Sequence, residues 1–211
     1  MRILFILFIT SSLYSQVTQQ WASYYNGPGP SNLASDIVLA STTDAMGNTY
    51  VTGRSANANF PVYGFDIATA KFNSSGIQQW SVRYSGVQNR NDQGQAIAVD
   101  GTGNVYVTGY EEINSSDARI VTIKYNSSGI QQWTAAYSSS YSTAIGNSIA
   151  LDGSNNVYIT GWCDSLISGS GKRQYTTIKY NSGGILQWIR KYNFSNSDAE
   201  AIMVKTDASA N

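Results

Sequence analysis

Four aspartates, Asp44, Asp100, Asp152 and Asp207, stand 56, 52 and 55 residues apart, and each of the first three opens the same phrase. The phrases read D-A-M-G-N-T-Y-V-T-G from Asp44, D-G-T-G-N-V-Y-V-T-G from Asp100 and D-G-S-N-N-V-Y-I-T-G from Asp152. A second phrase follows each time: K-F-N-S-S-G-I-Q-Q-W from Lys71, K-Y-N-S-S-G-I-Q-Q-W from Lys124 and K-Y-N-S-G-G-I-L-Q-W from Lys179. Such self-similarity means that one structural unit is stacked several times, and it constrains the fold more than any single motif does.

The spacings separate rigid parts from tolerant ones. Asp to Gly is always nine residues and Lys to Trp always nine, whereas Gly to Lys varies (18, 15, 18) and Trp to the next Asp varies (23, 20, 19, 19). Fixed spacing marks tight hairpins, whose register tolerates no slip, and variable spacing marks connections that absorb insertions. Within one repeat, Ala96–Val99, Val105–Val107, Ile120–Tyr125 and Gln132–Tyr137 read as four short strands, A to D. D-G-T-G-N and N-S-S-G supply the Gly and Asn residues that turns at positive φ require. Four antiparallel strands in a repeat near 55 residues predict an all-β chain of propeller blades, because β-helix coils use much shorter repeats.

Blades are expected over about 36–84, 92–137 and 144–192. Gln19-Gln20-Trp21 with Tyr24 matches a D strand, giving a lone outer strand at 19–25, and 199–207 reads as the inner strand of a next blade. Propellers close with about four to eight blades, so this inventory predicts an incomplete ring and a fragment of a longer chain. Residues 16–211 hold the repeats. Ahead of them, Met1-Arg2, the apolar run Ile3 to Ile9 and the small polar stretch Thr10 to Ser15 read as a secretory signal peptide cut after Ser15. Seven apolar residues are too few for a hydrocarbon core that needs about 20, so no membrane span is expected.

The phrases D-x-x-G/N-N-x-Y-V/I-T-G and K-Y/F-N-S-x-G-I-x-Q-W resemble the bacterial beta-propeller repeat called SBBP, over roughly residues 19–211. The resemblance implies an exported protein, often large, sometimes ending in a sorting or adhesion module. It brings no catalytic residues with it. The K-Y-N-S-S-G-I-Q-Q-W phrase is also similar to the docking pattern of quinoprotein propellers, but no cofactor ligand comes with it. The S-x-D-x-G-x-T-W box of sialidase propellers is matched in no repeat.

Composition narrows the chemistry. There is no His, which excludes Ser-His-Asp and Cys-His nucleophiles and His-based metal sites. Thirteen Lys and Arg balance thirteen Asp and Glu, and without Arg2 the chain carries net −1, which argues against nucleic acid as a partner. The single Cys163 can form no internal disulfide and reads as a small buried filler. The repeated Trp21, Trp80, Trp133 and Trp188 read as wedges between blades, with the indole N–H bonded to neighbouring backbone. The Asp series lacks the alternating oxygen ligands of a calcium loop, so each Asp is expected to accept backbone N–H bonds across its own turn; neither metal nor cofactor is expected. Asn73, Asn126, Asn114 and Asn193 fit N-x-S/T but read as turn residues.

Function is expected where the repeats differ. A–B and C–D turns share one face, B–C and D–A connections the other. The latter face holds Arg54, Arg90, Asp92, Tyr110, Glu111, Glu112, Trp162, Asp164, Lys172 and Arg173. Trp162 with Asp164, Lys172 and Arg173 is the richest set, an exposed aromatic among charges suited to a protein or glycan ligand, with Tyr110, Glu111 and Arg54 behind it. The plainer reading of the same residues is loop solvation, with Trp162 tucked onto its blade. The reading is a non-catalytic binding or surface-scaffold module. One alternative is a polysaccharide lyase or hydrolase with part of its site in the missing blades, for which Glu111-Glu112 needs a second carboxylate facing it. Another is a purely structural spacer in a large adhesin. The open edges would meet the remaining blades of the same chain, or copies of it.

Overall fold

A computed structural model describes residues 21–23, 25, 27, 35–57, 64–88, 90–139, 143–167, 170–192 and 197–207. The expected signal peptide, Asn193 and most of the expected 19–25 strand lie outside the described residues. The first blade holds β1 (Asp36–Thr43), β2 (Thr49–Ala56), β3 (Phe65–Phe72) and β4 (Gln78–Tyr84). The second holds β5 (Asp92–Val99), β6 (Val105–Glu112), β7 (Ala118–Tyr125) and β8 (Gln131–Tyr137), and the third β9 (Ala144–Leu151), β10 (Val157–Ile167), β11 (Ser170–Tyr180) and β12 (Leu186–Tyr192). Each blade is a four-stranded antiparallel sheet in chain order. β5 packs on β1, β2 and β3, and β9 packs on β5, β6 and β7. Three blades thus follow one another through their inner strands and form part of a ring. No helix among the described residues is long and apolar enough to cross a membrane.

The cores lie between blades. Tyr50 and Ile67 of the first blade pack with Val105, Val107, Val121 and Ile123 of the second, and Tyr106 and Ile120 of the second with Val157, Ile159 and Ile178 of the third. A middle strand such as β6 therefore buries both faces, one against each neighbour. Tyr125 is 2% exposed and its hydroxyl finds no partner among the described residues. The matching position in the first blade is Phe72. Tyr125→Phe is therefore expected to stabilise the fold by about 1 kcal/mol, raising Tm by about 2–4 °C in a thermal melt. A lower Tm would mean that the hydroxyl is bonded after all.

Every A–B pair is broken by a bulge, and the register jumps between Val38 and Ala40, Gly94 and Ala96, and Thr160 and Gly161. In the second blade the bulge lays the carbonyl of Gln93 over Gly109, where an added Cβ would stand 1.9 Å from that oxygen. The last glycine of each V/I-T-G phrase is required by this approach, not by its φ.

The strands are longer than the apolar alternation suggests. Arg54, Asp92, Tyr110, Glu111, Glu112, Trp162, Asp164, Lys172 and Arg173, expected in loops, all lie in strands. Their ladders continue past the apolar residues, with polar side chains there bonded to backbone N–H groups, as Asp92 and Asp164 are, or to a side chain of the neighbouring strand, as Glu111 is to Arg119. In the third blade the extra B–C residues lengthen a hairpin paired out to Ile167 and Ser170. Residues 199–207 lie where an inner strand would lie, with Asn147 Nδ2 donating to Ala201 O (3.0 Å) and Thr206 Oγ1 to Leu151 O (2.7 Å). They form no ladder among the described residues, and neither do Trp21, Tyr25 or Gly27. β1 leaves Ile37, Val38 and Leu39 exposed, unlike its counterparts β5 and β9.

Candidate functional site

On the turn face, the repeated residues form one device per blade. Tyr106, Lys124 and Trp133 stand directly opposite one another across β6, β7 and β8, the nine-residue spacing setting the Lys–Trp pair, and Tyr50-Lys71-Trp80 and Tyr158-Lys179-Trp188 do likewise. The Tyr106 hydroxyl donates to Asp100 (3.1 Å), and the Lys124 ammonium lies 5.0 Å from the Tyr106 ring centre. Asp100 also accepts from the backbone N–H of Thr102 (2.9 Å) and Asn104 (3.0 Å) and from the Asn104 amide (2.8 Å). Burial pushes its carboxyl up, but the bonds from Asn104 and Thr102 outweigh that and hold it below the usual range. Asp44 and Asp152 repeat the arrangement. The Asp turn bonds are thus as expected, with the Tyr hydroxyl added. Asn155 takes positive φ (59°) where the first two blades have Gly47 and Gly103. Asn73, Asn126 and Asn114 cap their own turns, each accepting from two backbone N–H groups.

Trp80 and Trp133 join the blades, as expected, whereas Trp188 contacts Tyr158 and Arg190 of its own blade. Trp80 Nε1 donates to Ser127 O (3.0 Å) and Trp133 Nε1 to Ser182 O (3.2 Å), the carbonyls of the next blade's C–D turn. Each ring covers the glycine of that turn, Gly129 or Gly184, and Trp21 covers Gly76 and stacks on Phe72 in the same way. These aromatic residues are occupied in assembly.

On the opposite face the repeats diverge, and buried polar clusters replace the shared motif. Asp92 and Glu111, directly opposite one another in β5 and β6, are both fully buried. Glu111 is bonded by Arg119 Nε and by the Tyr84 hydroxyl (2.6 Å). Asp92 accepts from the backbone N–H of Gly86 (2.5 Å) and Glu112 (3.2 Å). Burial and then the charge of Glu111 push the Asp92 carboxyl up to about 7, against those backbone bonds. In the first blade Arg83 pairs with Asp66 (2.9 Å) and bonds Ser55 and Ala56 backbone carbonyls. In the third, Cys163 is fully buried, as expected of a filler, and accepts from Thr176 Oγ1 (3.0 Å).

Trp162 is 7% exposed, so of its two readings the one that tucks it onto the blade holds and the exposed aromatic does not. The Arg173 guanidinium lies 3.9 Å from its ring centre, and the 199–207 segment passes alongside, with Ala201 N–H donating to Gly161 O (3.3 Å). A wide apolar ring at a free blade face is covered by the nearest planar cation and chain. Asp164 is tied to Thr143 through both backbone and side chain, Arg54 rests on Phe65 and reaches Gln93, and Glu112 is held by Asn91. Tyr110 lines a cleft of about 210 Å³ with Glu112, Asn114, Asp117 and Thr143. Arg173 is exposed and pairs with Glu200 (3.6 Å), with Lys172 half-buried beside it. Arg90 sits half-buried just outside β5.

Two stretches, residues 79–110 and 132–167, match the SBBP family, described as a beta-propeller repeat. The chain carries SBBP beta-propeller repeats. No curated protein matches it significantly. Each matched SBBP unit runs from the outer strand of one blade to the second strand of the next, so the repeating unit of sequence is the joint between blades. Glu111, Arg119, Lys172 and Arg173 lie outside the two stretches. Asp66, Arg83, Tyr84 and Arg119 were not anticipated as partners of the connection-face residues. One signal was available: Asp66 and Arg119 stand five residues ahead of Lys71 and Lys124, at the same repeat position with opposite charge.

Proposed function

We propose that the protein is an exported, non-catalytic module that binds a protein or glycan ligand, or serves as a surface scaffold, through the face carrying the B–C and D–A connections. One observation carries the reading. The side chains shared by the repeats are spent on turns and blade joints, whereas the connection face differs from blade to blade. Variation on a rigid frame is how binding faces are built. Arg173, Lys172, Asp198 and Glu200 are charged groups left accessible at the third blade's rim, with Trp162 as their buried support. Export rests on residues 1–15.

The alternative of polysaccharide cleavage would draw on Asp92 and Glu111, which do face one another. Both are fully buried, and Glu111 is already engaged by Arg119 and Tyr84, so no sugar reaches them in this conformation. The test is incubation of the full chain with alginate, pectin, xylan and chitosan, following retention by affinity electrophoresis and product by reducing-end release. No product is expected with any of them, and any retention should weaken in Arg173→Ala. Release of reducing ends, lost in Glu111→Gln, would overturn the non-catalytic reading. Absence of retention throughout would favour the scaffold over the glycan-binding form.

A further inference from the structure

We propose that the joint between the first and second blades is a proton-operated latch: one proton held between Asp92 and Glu111 keeps it shut, and release of that proton to solvent loosens it. Geometry supports this directly. The two carboxyl groups belong to directly paired residues, both fully buried, and both would lie within 3.0 Å of a Cβ placed on Gly86. Arg119 is the cation bonded to Glu111, and no cation among the described residues is bonded to Asp92. Two buried carboxylates beside one guanidinium leave an unbalanced negative charge, which a single proton removes.

The groups around Asp92 agree. Glu111 on β6 and Asp66 on β3 add negative charge, with Asp66 already paired to Arg83 of β4, while Glu112 acts on Asp92 through its backbone N–H, which favours the charged form. Tyr110 of β6 and Tyr84 of β4 are neutral and pushed to still higher pKa by burial, Tyr84 also by its bond to Glu111. Arg119 on β7 faces Glu111. The Asp92 carboxyl, pushed up to about 7, is the one poised to titrate.

The bonds at stake cross the joint: Gly86 N–H to Asp92, and Tyr84 hydroxyl to Glu111. Both tie the outer strand of the first blade, or the connection that follows it, to the second blade. The corresponding positions of the first and third blades carry Ser55 and Cys163 in place of Glu111, so the device belongs to this joint alone among the three blades.

The sign follows from linkage. The closed joint holds the proton up to about pH 7, whereas an opened, solvated Asp92 loses it near its ordinary value of 3.8. Opening therefore becomes easier by about tenfold per pH unit between roughly pH 5 and 7, and levels off above. The experiment is amide hydrogen exchange at Gly86 in the full chain from pH 5 to 8, corrected for intrinsic rate, with Ile159, in the core between the second and third blades, as an internal reference. Protection at Gly86 should fall with that slope and plateau while Ile159 protection stays constant; Asp92→Asn should flatten the profile, and Glu111→Gln, which leaves the burial of Asp92 in place, should bring the plateau to lower pH. A pH-independent Gly86, a slope that survives in Asp92→Asn, or a plateau that Glu111→Gln leaves unmoved would overturn the proposal. Should either variant fail to fold, the carboxyl carbon shift of Asp92 in the unmodified chain decides: a midpoint near 4 sinks the latch, a midpoint near 7 supports it.

Discussion

Gly109→Ala should abolish or nearly abolish the cooperative thermal transition, a loss of about 4 kcal/mol or more, whereas Gly101→Ala should leave Tm unchanged or slightly raised. Both glycines sit in the same phrase, D-G-T-G-N-V-Y-V-T-G, and nothing in one repeat distinguishes them. A Cβ on Gly109 would meet the Gln93 carbonyl oxygen at 1.9 Å and the backbone N of Gln95 at 3.0 Å, and neither can move without undoing the A–B bulge. A Cβ on Gly101 meets nothing within 4 Å. Backbone clashes of this kind belong to the few mechanisms that exceed 4 kcal/mol, and a domain has only about 5–15 kcal/mol to lose. At an unstrained turn, alanine instead restricts the unfolded chain and adds about 0.4–1 kcal/mol. Circular dichroism melts of the two variants side by side make the check; similar Tm values would mean that the bulge does not bring Gln93 over Gly109.

The second large effect is expected at Arg119. Arg119→Met removes the cation bonded to Glu111, a side chain with no solvent exposure, and leaves that carboxylate buried beside Asp92. Breaking a buried pair from one side costs about 3–5 kcal/mol, because the remaining charge keeps its desolvation penalty without its partner. Arg119 is itself partly exposed, which places the expectation toward the lower end. The pair as a whole is worth much less than either half suggests. Adding Glu111→Leu and Tyr84→Phe to Arg119→Met removes every group of the cluster that would be left unpaired, and should recover most of the loss. Urea denaturation of the single and triple variants measures both. If Arg119→Met costs under 1 kcal/mol, the cluster is wetter than its burial indicates.

The contrast between these two sites shows what a sequence of this kind exposes to reading. The hairpins on the turn face were legible because their chemistry is local. Asp100 bonds residues two, four and six positions on, and the nine-residue spacing sets Lys124 opposite Trp133. The wedge role of Trp80 and Trp133 was legible too, since a side chain repeated in every unit serves what every unit must do, which is to join the next. The connection face was less so. Strand ends at Glu111–Glu112 and Asp164 were read as loops because apolar alternation stops there, although the ladder continues on polar pairs. Trp162 stayed between an exposed and a tucked reading because its neighbours in sequence are charged, whereas the residues that cover it come from β11 and from the 199–207 segment.

The sequence alone therefore determined the unit and its joint: four strands, two tight turns, one wedge, repeated three times. Those features depend on contacts within a hairpin or across one fixed register, and periodicity records them. Only the tertiary structure decided which of the non-repeated residues meet. Asp92, Glu111, Arg119 and Tyr84 come from four different strands of two blades, at separations no spacing rule connects, and they converge because the inner strand of one blade packs against the body of the one before it. Burial then sets the chemistry. The same carboxyl that would titrate near 4 in a loop is held protonated to about 7 once water is excluded and a second carboxylate stands opposite.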